Sequence, residues 1–362
     1  MDSQHPARTP AGLQNALVQA LRGHAPEADA PPGELDACLA RHECGGYLHA
    51  QYRDEPGRLP ETWAAALARA HRKTLIDSLA AIATLREVET LLRSEGTPFI
   101  LLKGGAYLAD LYDDPGARAM TDVDILVRPD DARRVARRLA RAGMVGEMGR
   151  HYPEDCRFEM YRPGPSACRI EIHWRLGVED RVRFDQEALW SGAREAAIDG
   201  IPVRLLQREE AVVYHVWHAG DHYFGPGLKW AFDLREMLRR WRPDPERVRC
   251  LAEERRASIA LHLALTQLET LFPGEAPAAL MRRTAPGAVR GALLRAFRSE
   301  APAEFFVVGP GDTARMMLRP LLLDSTADLL RTAVRVLARP VTRLSGRAKG
   351  APAAPWAAGS SD

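Results

Sequence analysis

Length, composition and charge place the chain among ordinary globular proteins of one or two domains. It has 362 residues, of which 46% are hydrophobic and 27% are charged. Fifty basic side chains stand against 48 acidic ones, so the formal net charge is only +2. This balance excludes a polycation that coats DNA or an anionic membrane, and we expect no extended DNA binding.

The N-terminus and the cysteines indicate a reducing compartment. The segment MDSQHPARTPAG lacks the basic start and the apolar stretch of a secretory signal, and no apolar run of about 18 residues predicts a membrane span. The five cysteines are odd in number and include no C-x-x-C pair. They are typical of reduced, packed thiols rather than a disulfide frame or a zinc knuckle. We therefore expect a cytoplasmic protein with no membrane partner.

Residues 1–95 predict an N-terminal helical arm with a disordered start. The first residues are rich in Pro, Ala and Gly, which limits early helix to about Leu13–Leu21. From Thr62 to Glu95 a long helix is predicted, and Gly96 ends it. Its apolar residues recur at spacings of three and four along one face, as expected for a helix packed on a core: Leu75, Leu79, Ile82, Leu85, Val88 and Leu92.

Residues 96–206 predict an α/β core. An apolar strand over Phe99–Lys103 ends at Gly104-Gly105, and a helix over Ala106–Tyr112 follows. A second strand is predicted over Asp122–Val127. The remaining predicted elements are an arginine-rich helix at about Asp130–Ala142 and strands at Phe158–Tyr161, Cys168–Leu176 and Ile201–Leu205.

The rest of the chain predicts helices. Residues 207–345 have helical patterns broken by prolines, and residues 346–362, rich in Gly, Ala, Pro and Ser, predict a disordered tail. Strands interrupted by few helices and then followed by a run of helices are typical of an α+β fold. We therefore predict a small mixed β-sheet flanked by two helical regions, and not a doubly wound Rossmann sheet.

Two aspartates begin the second predicted strand. Side chains alternate along a strand, so Asp122 and Asp124 share one face while Val123, Ile125 and Val127 face the core. Two neighbouring carboxylates repel each other when they are partly buried, and a divalent cation is the simplest compensation. The alternative is a solvated strand end beside a turn.

A third carboxylate is expected beside these two. In the strand CRIEIHW, Ile170 and Ile172 lie on one face, and Glu171, His173 and Arg175 lie on the other. Three oxygen donors on adjacent strands suit Mg²⁺, which leaves its other positions to water and phosphates. Upstream, Gly104-Gly105 and the following helix start offer backbone N–H groups to an anion. A phosphate beside a metal ion is the simplest interpretation.

Three common enzyme signatures are absent from the sequence. It contains no G-x-x-x-x-G-K-[ST], no G-x-G-x-x-G after a strand and no G-x-S-x-G. The sequence therefore lacks the turns that characterise the P-loop, dinucleotide-binding and hydrolase classes.

With these motifs the chain resembles the nucleotidyltransferase superfamily of the DNA polymerase β type. More narrowly, it resembles a bacterial branch of uncharacterised nucleotidyltransferases. The resemblance covers about Ala40–Phe272 and rests on three stretches: LLKGGAYLADLYDDPGARAMTDVDILVRPDD, IEIHWRL and HVWHAGDHYFGPGLKWAFDL. It implies the nucleotidyltransferase fold for the α/β core.

The resemblance also implies roles for individual residues. It places the catalytic metal-binding pair on Asp122 and Asp124, the third carboxylate on Glu171, and phosphate neutralisation on Lys103 and Arg118. The phosphate-facing turn falls on the following glycine pair: Gly104 and Gly105. Two features depart from the family pattern, namely the sixteen residues between the glycines and the first aspartate, and a glutamate where aspartate is commoner.

The implied reaction is attack by an acceptor hydroxyl on the α-phosphorus of a nucleoside triphosphate (NTP), with loss of pyrophosphate. Two Mg²⁺ or Mn²⁺ ions about 3.5–4 Å apart would stabilise the attacking and leaving oxygens. The acceptor would be a small molecule, a sugar, an RNA end or a protein side chain. The alternative is a non-catalytic nucleotide-binding or partner protein that keeps the fold.

Three histidines share one face of the helix that follows the core. His215, His218 and His222 lie at spacings of three and four, which is compatible with a zinc site. The resemblance implies another use, in which His218 and His222 line the cleft with Lys229 and Asp233. The alternative for the last two, four residues apart, is an exposed ion pair.

Overall fold

The computed structural model describes residues 11–55, 57–147, 157–164, 168–177, 182–225, 227–296 and 321–324. These residues form thirteen α-helices and seven β-strands. The helices are α1 Ala11–Leu21, α2 Pro32–His42, α3 Gly45–Tyr52, α4 Glu61–Arg93, α5 Lys103–Asp110, α6 Ala132–Arg141, α7 Gln186–Gly192, α8 Arg208–Asp221, α9 Lys229–Glu236, α10 Pro245–Arg255, α11 Ser258–Leu271, α12 Ala278–Arg283 and α13 Ala288–Ala296. The strands are β1 Ile100–Leu101, β2 Asp122–Leu126, β3 Val145–Glu147, β4 Arg157–Tyr161, β5 Arg169–His173, β6 Arg194–Ile198 and β7 Ile201–Leu205.

The strands form one mixed sheet in the order β3-β4-β5-β2-β1-β7-β6. β2 runs parallel to β5, and β1 runs parallel to β7. The other neighbouring strands are antiparallel. The predicted α+β fold with a mixed sheet and flanking helices is confirmed, although the sheet has two more strands than the sequence analysis predicted.

The long helix α4 joins the two main hydrophobic cores. Near its start, Trp63 and Leu67 pack into a core shared by the N-terminal helices and by α8 to α11. Near its end, Leu85, Val88 and Leu92 pack with the sheet and with α6. Most of the apolar stripe predicted for this helix is therefore core, but Leu75 is half-buried outside both cores and Leu79 is 50% exposed. Because one rigid helix takes part in both cores, the helical regions are anchored to the sheet.

Two strands, β3 and β6, were not predicted from the sequence. β3 is three residues long at one edge of the sheet, and β6, with the sequence REAAI, contains few residues of high β-propensity. β6 pairs with β7 across a two-residue turn in which Asp199 and Gly200 both have positive φ, +48° and +73°. An Asp-Gly pair with two positive φ angles is typical of a type I′ hairpin, so the sequence did contain a signal for β6.

The first predicted strand is shorter than expected. β1 ends at Leu101, and α5 already begins at Lys103, so the glycine pair lies in the first turn of a helix rather than between a strand and a helix. The described cysteines Cys38, Cys44, Cys168 and Cys250 form no disulfide with one another. No helix among the described residues combines the length and apolar character that a membrane crossing requires. Residues 1–10, in the predicted disordered start, and the predicted disordered tail, residues 346–362, lie outside the described residues.

Candidate active site

Strand register brings two of the predicted carboxylates together. Asp124 on β2 lies directly opposite Glu171 on β5 in the parallel pair. Both are buried, with 2% and 6% of their surface exposed. Their apolar neighbours Val123 and Ile170 pack into the core beneath the sheet, as alternation along each strand requires. The two polar side chains therefore share the opposite face.

Lys103 lies between these two carboxylates. Its Nζ is 2.6 Å from Asp124 Oδ1 and 3.3 Å from Glu171 Oε2. Burial alone would lower the pKa of Lys103, but the two carboxylates outweigh it and raise that pKa above its ordinary value. The ammonium group therefore offsets part of the repulsion between the carboxylates. From the sequence, a metal ion was the only group expected to do this.

The backbone of Lys103 adopts a strained conformation, with its side chain placed between the two carboxylates. Its φ is +45°, in the left-handed region that residues with a Cβ atom rarely adopt. The preceding residue, Leu102, donates its backbone N–H to the carbonyl oxygen of Asp124 at 2.9 Å. This bond fixes the start of α5 against β2, and such strain persists where the surrounding structure enforces it, often at functional sites.

His173 completes this cluster, and the sequence analysis gave it no role. Its Nε2 lies 3.0 Å from Asp124 Oδ1 and 3.4 Å from Glu171 Oε2, and the residue is 6% exposed. One ligand atom from each of these three residues lies within 4.8 Å of the others. His173 lies two residues after Glu171 and therefore on the same polar face of β5. This spacing is the sequence signal that could have identified it as a site residue.

Asp122 lies in the same cavity but outside this three-residue cluster. It is half-buried. Burial raises the pKa of Asp122, and the nearby charges of Asp124 and Glu171 raise it further. The structure thus brings Asp122 to the site without placing its carboxylate among the three converging ligand atoms, and its predicted metal-binding role stays a prediction.

Arg157 on β4 holds Glu171 from the other side. Its Nη1 is 2.7 Å from Glu171 Oε2. Burial acts to raise the pKa of Glu171, but the hydrogen bond with His173 and the charges of Lys103 and Arg157 hold it well below its ordinary value. Glu171 is therefore ionised across the physiological pH range and remains able to bind a cation.

A cavity of about 480 Å³ opens beside the carboxylates. One wall comes from the sheet and from the start of α5, and the other comes from α8 and from the segment that leads into α9. Its charged and histidine side chains are Glu43, Lys103, Arg118, Asp122, Asp124, Arg157, Glu159, Arg169, Glu171, His215, His218, His222, Lys229 and Asp233. With one exception, Gly105, every candidate site residue from the sequence analysis lines this cavity.

Arg118 and Asp233 form a buried ion pair at the base of the cavity. Arg118 Nη2 lies 2.9 Å from Asp233 Oδ2, and the two residues are 7% and 1% exposed. The hydroxyl of Tyr112 donates to Asp233 Oδ1 at 2.8 Å. The exposed Lys229–Asp233 pair offered as an alternative is wrong, because α9 turns Asp233 inward and Lys229 pairs with Glu43 at 2.7 Å.

The two glycines of the predicted phosphate turn differ in their surroundings. A Cβ atom at Gly104 would overlap Nη1 of Arg118, so this glycine admits the guanidinium and also lines the cavity. A Cβ atom at Gly105 would lie 2.8 Å from Cδ1 of Leu101. Gly105 therefore allows α5 to pack closely on β1, and it is not among the described residues that line the cavity.

His215 and His218 on α8, and His222 directly after it, do not form a metal-binding group among the described residues. His215 is engaged at both ring nitrogens, by the Tyr107 hydroxyl at 2.9 Å and by the carbonyl oxygen of Trp230 at 2.8 Å. His218 and His222 line the cavity with their ring centroids 4.6 Å apart. Burial lowers the pKa of His218 well below its ordinary value, and the positive charge of Lys103 adds to this, so the ring is neutral near pH 7.

The sequence of this chain matches the model of a known family over residues 28–273. That family is described as uncharacterised nucleotidyltransferase. The chain belongs to this nucleotidyltransferase family. The match confirms the predicted resemblance and the prediction of a nucleotidyltransferase enzyme, with the acceptor unspecified. No curated protein matches the chain in sequence.

Solved nucleotidyltransferases are distant neighbours of this structure. The solution structure of the antibiotic-resistance factor ANT(2'')-Ia aligns with a TM-score of 0.36 at 15% identity, covering 49% of this chain and 91% of that one. The crystal structure of ANT(2'')-Ia in complex with adenylyl-2''-tobramycin gives 0.36 at 16% identity, covering 48% and 94%. An antigenic nucleotidyltransferase-like protein from Paracoccidioides brasiliensis gives 0.34 at 16% identity, covering 55% and 91%.

Proposed function

We propose that this nucleotidyltransferase moves a nucleoside monophosphate group from an NTP to a hydroxyl acceptor and releases pyrophosphate, with the help of a divalent cation. The observation that carries the proposal is the convergence of Asp124, Glu171 and His173 within 4.8 Å beside the N-terminus of α5, where the two carboxylates line a cavity of about 480 Å³. Acceptors compatible with the site chemistry include a small molecule, a sugar, an RNA end and a protein side chain.

The donor set fits a divalent cation. The two carboxylates suit Mg²⁺ or Mn²⁺, and Lys103 already places a positive charge against them. Asp124 and Glu171 would hold the first ion, and Asp122 at the edge of the cluster would help to hold a second. When bound, the cation supplies charge stabilisation to the phosphate oxygens and to the attacking oxygen.

Positive charges and backbone N–H groups line the space where the triphosphate would lie. The start of α5 at Lys103 and Gly104 offers a helix N-terminus to an anion. Lys229 adds a cation from the opposite wall. Arg118 retains N–H groups beyond those given to Asp233, so Asp233 orients a guanidinium at the cavity base rather than contacting the nucleotide itself. His218 and His222, both neutral, are proposed to contact the base or the acceptor.

The proposed reaction is a single displacement at the α-phosphorus of the NTP. The acceptor oxygen forms a bond to the α-phosphorus, and the bond from this phosphorus to the oxygen that bridges to the β-phosphate breaks. Pyrophosphate leaves with the electron pair of that bond. The proton of the acceptor hydroxyl passes to Asp122, the cavity carboxylate whose pKa is raised by burial and by the charges of Asp124 and Glu171. Lys103 and Arg157 hold Asp124 and Glu171 in position.

The test uses the full chain with each α-³²P-labelled NTP, Mg²⁺ or Mn²⁺, and a cell extract as the source of acceptors. Label transfer and pyrophosphate release are measured for the wild type, for Asp124→Asn and for Glu171→Gln. Each substitution removes one carboxylate charge from the cluster, so we expect transfer to fall at least about 100-fold. The label identifies the acceptor because it remains on the product.

The matched control is Asp36→Asn, which removes an exposed carboxylate paired with Arg69 outside the cavity. This variant should transfer label as the wild type does. Equal transfer by the wild type and by Asp124→Asn would contradict the proposal. Tight nucleotide binding without transfer or pyrophosphate release from any NTP would favour the non-catalytic alternative.

A further inference from the structure

We infer that His173 is a direct ligand of the divalent cation, so that the metal site combines carboxylate oxygens with one imidazole nitrogen and binds Mn²⁺ in preference to Mg²⁺. This inference rests on the proposed function, because it assigns a residue to the metal site proposed there. The sequence pattern of three carboxylates predicted an all-oxygen site, and the structure brings a nitrogen into the cluster.

The first support is the position of the imidazole. His173 Nε2 lies 3.0 Å from Asp124 Oδ1 and 3.4 Å from Glu171 Oε2. Neighbouring ligands of an octahedral ion with bonds of about 2.1 Å lie about 3 Å apart, so both separations match adjacent ligand positions. At 6% exposure the ring has little access to solvent.

The second support is the rigidity of the element that carries the ring. His173 is paired with Leu126 in the parallel ladder between β5 and β2. Its carbonyl oxygen accepts the backbone N–H of Val127 at 2.8 Å. Ligands on neighbouring strands of one sheet are held more precisely than ligands on loops, which favours a preformed site.

The third support is that Asp124 does not need His173 as a charge partner. Its Oδ1 already accepts a hydrogen bond from Lys103 Nζ at 2.6 Å. Lys103 therefore supplies the positive charge beside Asp124 without any contribution from His173. A metal ion that binds Asp124 and Glu171 would meet Nε2 of His173 within 4.8 Å of both carboxylates.

The metal preference follows from this donor set. Carboxylates and water suit Mg²⁺ and Mn²⁺, whereas imidazole suits the transition metals, whose affinity for such sites rises from Mn²⁺ towards Cu²⁺. A site with one imidazole therefore binds Mn²⁺ more tightly than Mg²⁺. Replacing the imidazole by a carboxylate, as in His173→Asp, should shift the preference back towards Mg²⁺.

The test is pulsed electron paramagnetic resonance of Mn²⁺ bound to the full chain together with pyrophosphate, a phosphate ligand without nitrogen, in a nitrogen-free buffer. A directly bound imidazole gives ¹⁴N modulation of the electron spin echo. Growth on ¹⁵N-histidine should replace this pattern with that of ¹⁵N, which separates histidine from Lys103 and needs no sequence change. In His173→Gln the modulation should disappear. Mn²⁺ should also bind at least about tenfold more weakly, because even the loss of an outer-sphere partner typically weakens metal binding by about that factor.

The matched control is His222→Gln, which removes a cavity histidine outside the carboxylate cluster and should keep the modulation. Bound Mn²⁺ without histidine ¹⁴N modulation in the wild type would overturn the inference and leave the proposed transfer reaction intact. Modulation that persists in His173→Gln would overturn it as well. Failure of the wild type to bind Mn²⁺ with pyrophosphate would overturn both this inference and the metal dependence of the proposed function.

Discussion

The ion pair between Arg118 and Asp233 should dominate the stability of the cavity base. Its atoms meet at 2.9 Å and at two separations of 3.3 Å, and both residues are almost fully buried. Asp233→Asn keeps the shape of the side chain but leaves a buried guanidinium without its counter-charge. Removal of one partner from a buried pair costs about 3–5 kcal/mol, so we expect a loss of this size in the free energy of unfolding.

The assay is urea unfolding of the wild type, Asp233→Asn, Arg118→Met and the double variant. Each single variant leaves one unpaired buried charge, and the double variant leaves none. We therefore expect the double variant to lose about 1–3 kcal/mol less than the sum of the two single losses. Tyr112 keeps a hydrogen-bond acceptor in all four proteins, because Asn retains the carbonyl oxygen at this position.

The control is the exposed pair Arg128–Glu187, whose side chains are 43% and 79% exposed. Glu187→Gln should cost no more than about 1 kcal/mol, because solvent screens this pair. A loss below about 1 kcal/mol for Asp233→Asn would refute the assignment of a buried, charge-dependent pair. Simple additivity of the two single losses would refute it as well.

Three further predictions concern other parts of the structure. Gly104→Ala should destabilise the protein by about 1–3 kcal/mol in urea unfolding, because the new methyl group overlaps Arg118. Burial lowers the pKa of His42 to about 4 from its ordinary value of 6.5. The unfolded chain therefore takes up that proton first, and stability should fall by up to about 3 kcal/mol as the pH drops from 6.5 to 4, a loss that His42→Gln should remove. Mn²⁺ at 100 times its Kd should raise the stability of the wild type by about 2.7 kcal/mol and that of Asp124→Asn by less, as thermal unfolding with and without EDTA will show.

The parts of the site that the sequence predicts are those set by local alternation. DVDIL and RIEIH each place polar and apolar residues on opposite faces, and the structure follows that pattern in both strands. The meeting of Asp124 and Glu171 additionally depends on the parallel register of β2 and β5. A slip of one residue would turn one of the two side chains to the other face, so burial of the apolar face fixes the register.

The sequence could not predict the partners of the charged residues. Local spacing favoured pairing Lys229 with Asp233, four residues away, because neighbours on a helix face meet without any knowledge of the fold. In the structure Asp233 pairs with Arg118, 115 residues earlier, and Lys229 pairs with Glu43, 186 residues earlier. Such contacts arise from the packing of α9 against the N-terminal helices and the core, which no short-range pattern encodes.

Lys103 changes the physical argument for a metal ion at this site. In the sequence analysis, a divalent cation is the simplest compensation for the repulsion between neighbouring carboxylates. The structure shows that one ammonium group offsets part of it, so the carboxylates can lie side by side before any metal ion binds. Only four of the 50 basic residues are lysines, and here a compact point charge fits between two carboxylates where a planar guanidinium would need more room. The case for the cation therefore rests on the donor set that includes His173, since Lys103 offsets part of the repulsion but does not explain an imidazole directed at the same two carboxylates.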